Sequence, residues 1–116
     1  IQAIINVISQ GVVYVYVKNG TGYWNFHQKL FTSDGALNDY FGSSVSISED
    51  TIVIGAYGDD INSNNQGSAY IFVRNETGYW NQQQKLFASD GALNDYFGYS
   101  VSISGNTLVI GSYQSS

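Results

Sequence analysis

The sequence predicts an all-β protein of tandem four-stranded antiparallel units, and three observations carry that reading. A decapeptide, SDGALNDYFG, stands at Ser33–Gly42 and again, unchanged, at Ser89–Gly98; from Ser33 to Ser89 the offset is 56 residues. Gly11–Gln66 lies over Gly67–Ser116 with most differences mild, such as Val15 for Ile71 and Lys18 for Arg74. A repeat of about fifty residues is the length of one propeller blade or a similar β-unit. The apolar residues fall in short β-branched and aromatic runs or alternate with polar ones, the two patterns of strands. Finally, ten Tyr and thirteen Gly with no Pro, Met or Cys suit strands joined by turns.

The elements follow in order. VVYVYV (Val12–Val17) and AYIFV (Ala69–Val73) are strands. NGTG and NETG turn the chain into YWNFHQKLF and YWNQQQKLF. Alternation there puts Trp24, Phe26, Gln28 and Leu30 on one face and Asn25, His27, Lys29 and Phe31 on the other. SSVSIS and YSVSIS alternate, with Val45 and Ile47 opposite Ser44, Ser46 and Ser48. Short turns, Glu49-Asp50 and Gly105-Asn106, lead into TIVIG and TLVIG, and Gly-Asn is a two-residue hairpin signal. The decapeptide links the outer strand of one unit to the first strand of the next. Its Ser-Asp-Gly turns the chain, Phe41 and Phe97 wedge between sheets, and Gly42 and Gly98 permit close backbone approach. Because it touches two units it tolerates less drift; the competing reading has Asp34, Asp39, Asp90 and Asp95 gathering a cation.

Composition excludes several functions. The chain has 116 residues, 43% hydrophobic and 11% charged, which supports a core. With four basic residues and a net charge of −5 there is no basic stripe for nucleic acid or an anionic membrane. No stretch is long enough to span a bilayer as a helix. IQAIINVI lacks the basic flank and cleavage pattern of a signal peptide. The chain does not start with Met, so the expectation is a processed chain or a piece of a longer one.

The order FG-x-SVSIS, T-x-VIGAY-x-DD, GSAYIFVR, KLFASDG resembles the FG-GAP repeat, the blade unit of integrin-type β-propellers, and most closely its microbial extracellular form. Phe41-Gly42 and Phe97-Gly98 match the Phe-Gly that opens a blade. Gly55-Ala56-Tyr57 and Gly111-Ser112-Tyr113 stand where the family has Gly-Ala-Pro, a departure that replaces proline by tyrosine. The resemblance implies radially arranged or stacked sheets and an extracellular or cell-surface protein. It does not imply an activity.

Phase within the repeat divides the chain into residues 1–10, a first repeat at 11–66 and a second at 67–116. Only Ser44 to about Ser89 supplies all four strands of one blade. A third-plus-outer pair precedes it and an inner-plus-second pair follows it, so the expectation is one full blade with complementary half-blades at either end. Two blades do not close a ring. Either the chain is an excerpt of a longer propeller, or copies join head to tail as a ring or an open fibre. Where the repeat leads one to expect YGDDINSNNQ, residues 1–10 read IQAIINVISQ, an apolar strand. Ile1, Ile4, Ile5, Val7 and Ile8 either cover the chain's own edge or are donated to a neighbour, and Val109 lies on the other open edge.

Catalytic chemistry finds little footing. His27 is the only His and its repeat mate is Gln83, so it reads as solvated surface. There is no nucleophile elbow, no Cys and no phosphate loop. The calcium loop common in integrin-type blades has no room here, since SEDT and SGNT stand in its place. A weaker calcium candidate is DDINSNN, where Asp59, Asp60, Asn62 and Asn64 offer oxygens, but a loop glycine and a bidentate Glu are missing. No cofactor is expected otherwise. Asn19-Gly20-Thr21 and Asn75-Glu76-Thr77 are N-glycosylation sequons on equivalent turns. Three classes follow: a self-assembling structural protein, an adhesive or ligand-binding module of a larger propeller, and an enzyme, the last disfavoured by its missing groups.

Overall fold

A computed structural model describes residues 11–32, 39–59, 66–90 and 95–113. They form eight strands: β1 (Val13–Lys18), β2 (Trp24–Leu30), β3 (Phe41–Ser48), β4 (Thr51–Ala56), β5 (Ser68–Arg74), β6 (Trp80–Leu86), β7 (Phe97–Ser104) and β8 (Thr107–Ser112). No helix is present among the described residues. Strands β1 and β2 make a two-stranded sheet, β3-β4-β5-β6 a four-stranded meander, and β7 and β8 a second two-stranded sheet. One full blade is thus flanked by an outer half-blade and an inner half-blade, the partition that the repeat phase predicts.

The alternation expected of residues 24–31 does not hold throughout. Tyr16 pairs with Phe26 and Val15 with Gln28, so His27 is an extra residue in a β-bulge. The same shift between Ile71 and Phe72 makes Gln83 the extra residue in the second repeat. The bulge turns Leu30 to the opposite face from Trp24 and Phe26. Leu30 is buried against the full blade, while Trp24 and Phe26 are exposed. A second bulge, between Phe41 and Ser44, carries Tyr40 and Gly42 at positive φ, and the Tyr96–Gly98 segment repeats it.

The core is two layers between three sheets. One face of the full blade, with Ile52, Ile54, Tyr70, Phe72 and Trp80, receives Val13, Val15 and Leu30 of the first half-blade. Its other face, with Val53, Ala69 and Ile71, receives Val101, Ile103, Leu108 and Ile110 of the last. Phe41 wedges into the first layer edge-on to Tyr70, and Phe97 joins the second. Hydrogen bonds stitch the layers. Gln28 donates from Nε2 to the Trp80 carbonyl (2.9 Å) and accepts from the Trp80 N–H (2.8 Å). His27 is half-buried rather than solvated. It donates from Nε2 to the Gly78 carbonyl and stacks on Tyr79, because the bulge turns it toward the next sheet.

A ladder of tyrosines links the sheets at one end. Tyr40 stacks on Tyr57 at 4.9 Å, Tyr57 meets Tyr96 and Tyr99 at 5.6 and 5.2 Å, and Tyr99 meets Tyr113 at 4.9 Å. Tyr57 and Tyr113 are the residues that stand in place of the family's proline. Burial, then the neighbouring Tyr40, Tyr99 and Tyr96, push the Tyr57 phenol above its usual range. The fold therefore favours the neutral phenol. That stabilisation is complete below the usual phenol pKa of about 10 and is lost as the pH rises through the higher folded value.

Three expected outcomes follow. Alkaline titration followed by ultraviolet absorbance shows Tyr57 ionising late, and Tyr57→Phe removes that phase. Trp80→Ala costs about 3–5 kcal/mol by urea unfolding, whereas Trp24→Ala changes an isolated copy by about 0.5 kcal/mol or less. Glu49 holds φ +52 in the hairpin where the second repeat has Gly105, so Glu49→Gly raises stability by about 1 kcal/mol.

Candidate functional site

Internal repetition supplies a built-in control for every exposed residue, because each has a mate 56 positions away. Trp80 is 5% exposed beneath the first half-blade, while its mate Trp24 is 65% exposed. Val53 is fully buried against the last half-blade, while its mate Val109 is 62% exposed. Val101 and Ile103 pack into the second layer, while Val45 and Ile47 are 51% and 57% exposed on the front of the full blade. The uncovered residues form three patches. Tyr14, Tyr16, Trp24 and Phe26 make an aromatic face on β1 and β2, with Phe26 edge-on to Tyr16 at 6.0 Å. Val109 lies with Ser100, Ser102 and Ser104 on the outer face of β7 and β8, and Val45 and Ile47 line the opposite end.

A groove of about 260 Å³ runs along the free edge of β1, between Val13–Tyr16 on one wall and Val45, Ile47 and Ile52 on the other. In the full blade the place equivalent to this groove is occupied by β4, which pairs with β5 from Thr51↔Val73 to Ala56↔Ser68. Neither β1 nor β8 has a second strand partner among the described residues. Both edges are apolar and, among the described residues, open, and an open strand edge attracts another strand.

The serine stripe is a seam rather than a solvated face. Ser44 donates from Oγ to the Gly98 carbonyl at 2.9 Å. The N–H of Ile103 donates to Ser46 Oγ at 3.2 Å, and that of Gly105 to Ser48 Oγ at 3.1 Å. Their mates Ser100, Ser102 and Ser104 are exposed. Sequence reasoning named Val109 but missed Trp24, Val45, Ile47 and these serines. The available signal was the alignment of each with a mate that has to be buried in a full blade.

The other sequence-derived sites are placed as follows. Asn19 and Asn75 sit on exposed tips after β1 and β5. Asn19 Oδ1 accepts from the Thr21 N–H (2.9 Å), the Thr21 hydroxyl (2.7 Å) and the Tyr23 N–H (3.0 Å). Asn75 repeats this with Thr77 and Tyr79. These bonds use only Oδ1, so Nδ2, the atom that takes a glycan, stands outside the turn's network. Asp59 is buried: Oδ2 accepts from Ser68 Oγ at 2.7 Å and pairs with Lys85 Nζ at 2.9 Å. Asp60, Asn62, Asn64, Ile1, Ile4, Ile5, Val7 and Ile8 lie outside the described residues. Among the described residues no three His, Asp or Glu side chains gather as a metal site, and no helix is long and apolar enough to cross a membrane.

The comparisons with known proteins bear on this geometry. A search of curated proteins returned no match. A family model for the FG-GAP repeat matches residues 24–72 and again 80–116. Each match begins at an outer strand and runs through the Phe-Gly bulge into the next sheet, so both register with the bulges, connectors and layers described above. Two tandem copies of that pattern, covering most of the chain on an all-β meander, show that this chain belongs to the FG-GAP repeat family.

Proposed function

We propose that the chain is a non-enzymatic extracellular structural protein that self-associates head to tail, the inner half-blade of one copy completing the outer half-blade of the next. The observation that carries this is the division of eight strands into sheets of two, four and two, with neither β1 nor β8 paired to a second strand among the described residues. FG-GAP repeats build β-propeller blades, typically in extracellular or surface proteins, and the family is generally non-enzymatic. An open fibre is favoured over a closed ring, with glycans on Asn19 and Asn75 projecting from the turn tips. Ile1, Ile4, Ile5, Val7 and Ile8 then clamp the joint as a donated strand.

The family match favours a second reading, an adhesive or ligand-binding module within a larger propeller. There the same faces are covered by further blades of one chain. Mass in solution separates the two readings. Sedimentation of the 116-residue chain at micromolar concentration shows large, concentration-dependent particles if copies join. A stable folded monomer leaves only the module reading. Val109→Lys blocks assembly, and removal of residues 1–8 weakens it.

Two further outcomes are expected. Peptide mapping of native material finds glycan on Asn19 and Asn75, and bare asparagines at both remove that element. Chelation by EDTA leaves the melting temperature unchanged, because Lys85 and Ser68 already engage Asp59; any calcium held with Asp60, Asn62 and Asn64 is weak.

A further inference from the structure

We infer that the joint has one defined register, copied residue for residue from the blade inside the chain. This rests on the self-association reading and specifies its interface. The pairing of β4 with β5 is the template. Shifted by one repeat in opposite directions, Thr51↔Val73, Ile52↔Phe72, Val53↔Ile71 and Ile54↔Tyr70 become Thr107, Leu108, Val109 and Ile110 of one copy opposite Val17, Tyr16, Val15 and Tyr14 of the next. The strand that fills the groove beside Val13–Tyr16 is therefore β8 of a second copy.

The flanking layers are specified with it. Val53 is buried against the sheet that carries Val101 and Ile103, so Val109 packs on the next copy's Val45 and Ile47. Trp80 is buried against the first half-blade and is clasped at its backbone by Gln28. Trp24 of the next copy accordingly lies against β5 and β6 of the first, clasped by Gln84, which is exposed in the isolated chain. Ser102 and Ser104 accept from the next copy's Ile47 and Glu49 N–H groups, as Ser46 and Ser48 accept from Ile103 and Gly105. Tyr113 continues the tyrosine ladder onto the next copy's Tyr40, as Tyr57 meets Tyr96.

One glycine supports the assignment independently. A Cβ on Gly55 would collide with the carbonyl of Gly98 in the adjacent sheet, so Gly55 is required by that packing. Gly111, its mate, meets no adjacent sheet among the described residues; the three atoms nearest a Cβ there all belong to Ser100, the closest being its hydroxyl, which can rotate away. The position is shaped for a backbone that no described residue of the single copy supplies, and the template names it as the next copy's Gly42 carbonyl.

Disulfide trapping tests the register. Thr107 and Val17 are exposed in the single copy, and the template sets them directly opposite across the joint. The full chain carrying Thr107→Cys and Val17→Cys, oxidised with oxidised glutathione, is expected to give a ladder of covalent multimers. The chain with Thr107→Cys and Val13→Cys, four residues out of register, is expected to give none. Assembly by sedimentation without the 107–17 cross-link overturns the register while the self-association reading stands, whereas absence of assembly overturns both. Gly111→Ala is expected to fold like the parent by circular dichroism yet weaken association about tenfold or more. Should that variant lose its fold, Trp24→Ala provides the same test from an exposed position. Association of Trp24→Ala equal to the parent overturns the layer assignment.

Discussion

Every feature of this chain depends on one packing relation: the front of each sheet rests on the back of the sheet before it. A blade so built has two apolar faces and no polar one. Val53 and Ile71 on one side and Ile52, Ile54 and Phe72 on the other all need a neighbour. Side chains in such a sheet cannot alternate between core and solvent, as they do in a sheet covered on one side. They alternate between two cores. The full blade satisfies both faces, whereas each half-blade satisfies one and presents the other.

Polar groups follow the same relation. Gln28, His27, Ser44, Ser46 and Ser48 direct their hydrogen bonds into the adjacent sheet rather than to solvent or to strand partners. Each bond adds a directional constraint on the register between layers that non-directional apolar burial does not supply. The bulges at His27 and Gln83 serve this seam too. By inserting one residue they bring Trp24 or Trp80 and Leu30 or Leu86 onto opposite faces of the same strand, so that Trp80 and Leu86 meet different layers while Leu30 is buried and Trp24 stays exposed.

Much of this was legible in the sequence. The Val45-Ile47 against Ser44-Ser46-Ser48 alternation gave β3 its faces, the duplicated decapeptide located the inter-sheet connector, and repeat phase predicted the two-four-two division of strands. What was not legible came from backbone irregularity. A bulge has no composition of its own, so the face assignment of residues 24–31 failed from His27 onward. His27 was misread as solvated because a mid-strand histidine whose repeat mate is glutamine suggests an exposed position, whereas the bulge turns it toward the next sheet. The mate that is buried shows what a position does, and for His27 the buried mate is the one under scrutiny.

Sequence repeat and blade are out of step by half a unit, and this has a consequence for how a chain of such repeats can change in length. The antiparallel pairing of β4 with β5 crosses the boundary between the repeats, so no blade is encoded by one repeat alone. Gain or loss of a whole repeat by unequal recombination changes the number of blades but leaves both ends chemically as they were. Chains of one, two or three repeats present the same pair of edges. Length can drift in a gene of this kind without altering the pair of edges that its products present.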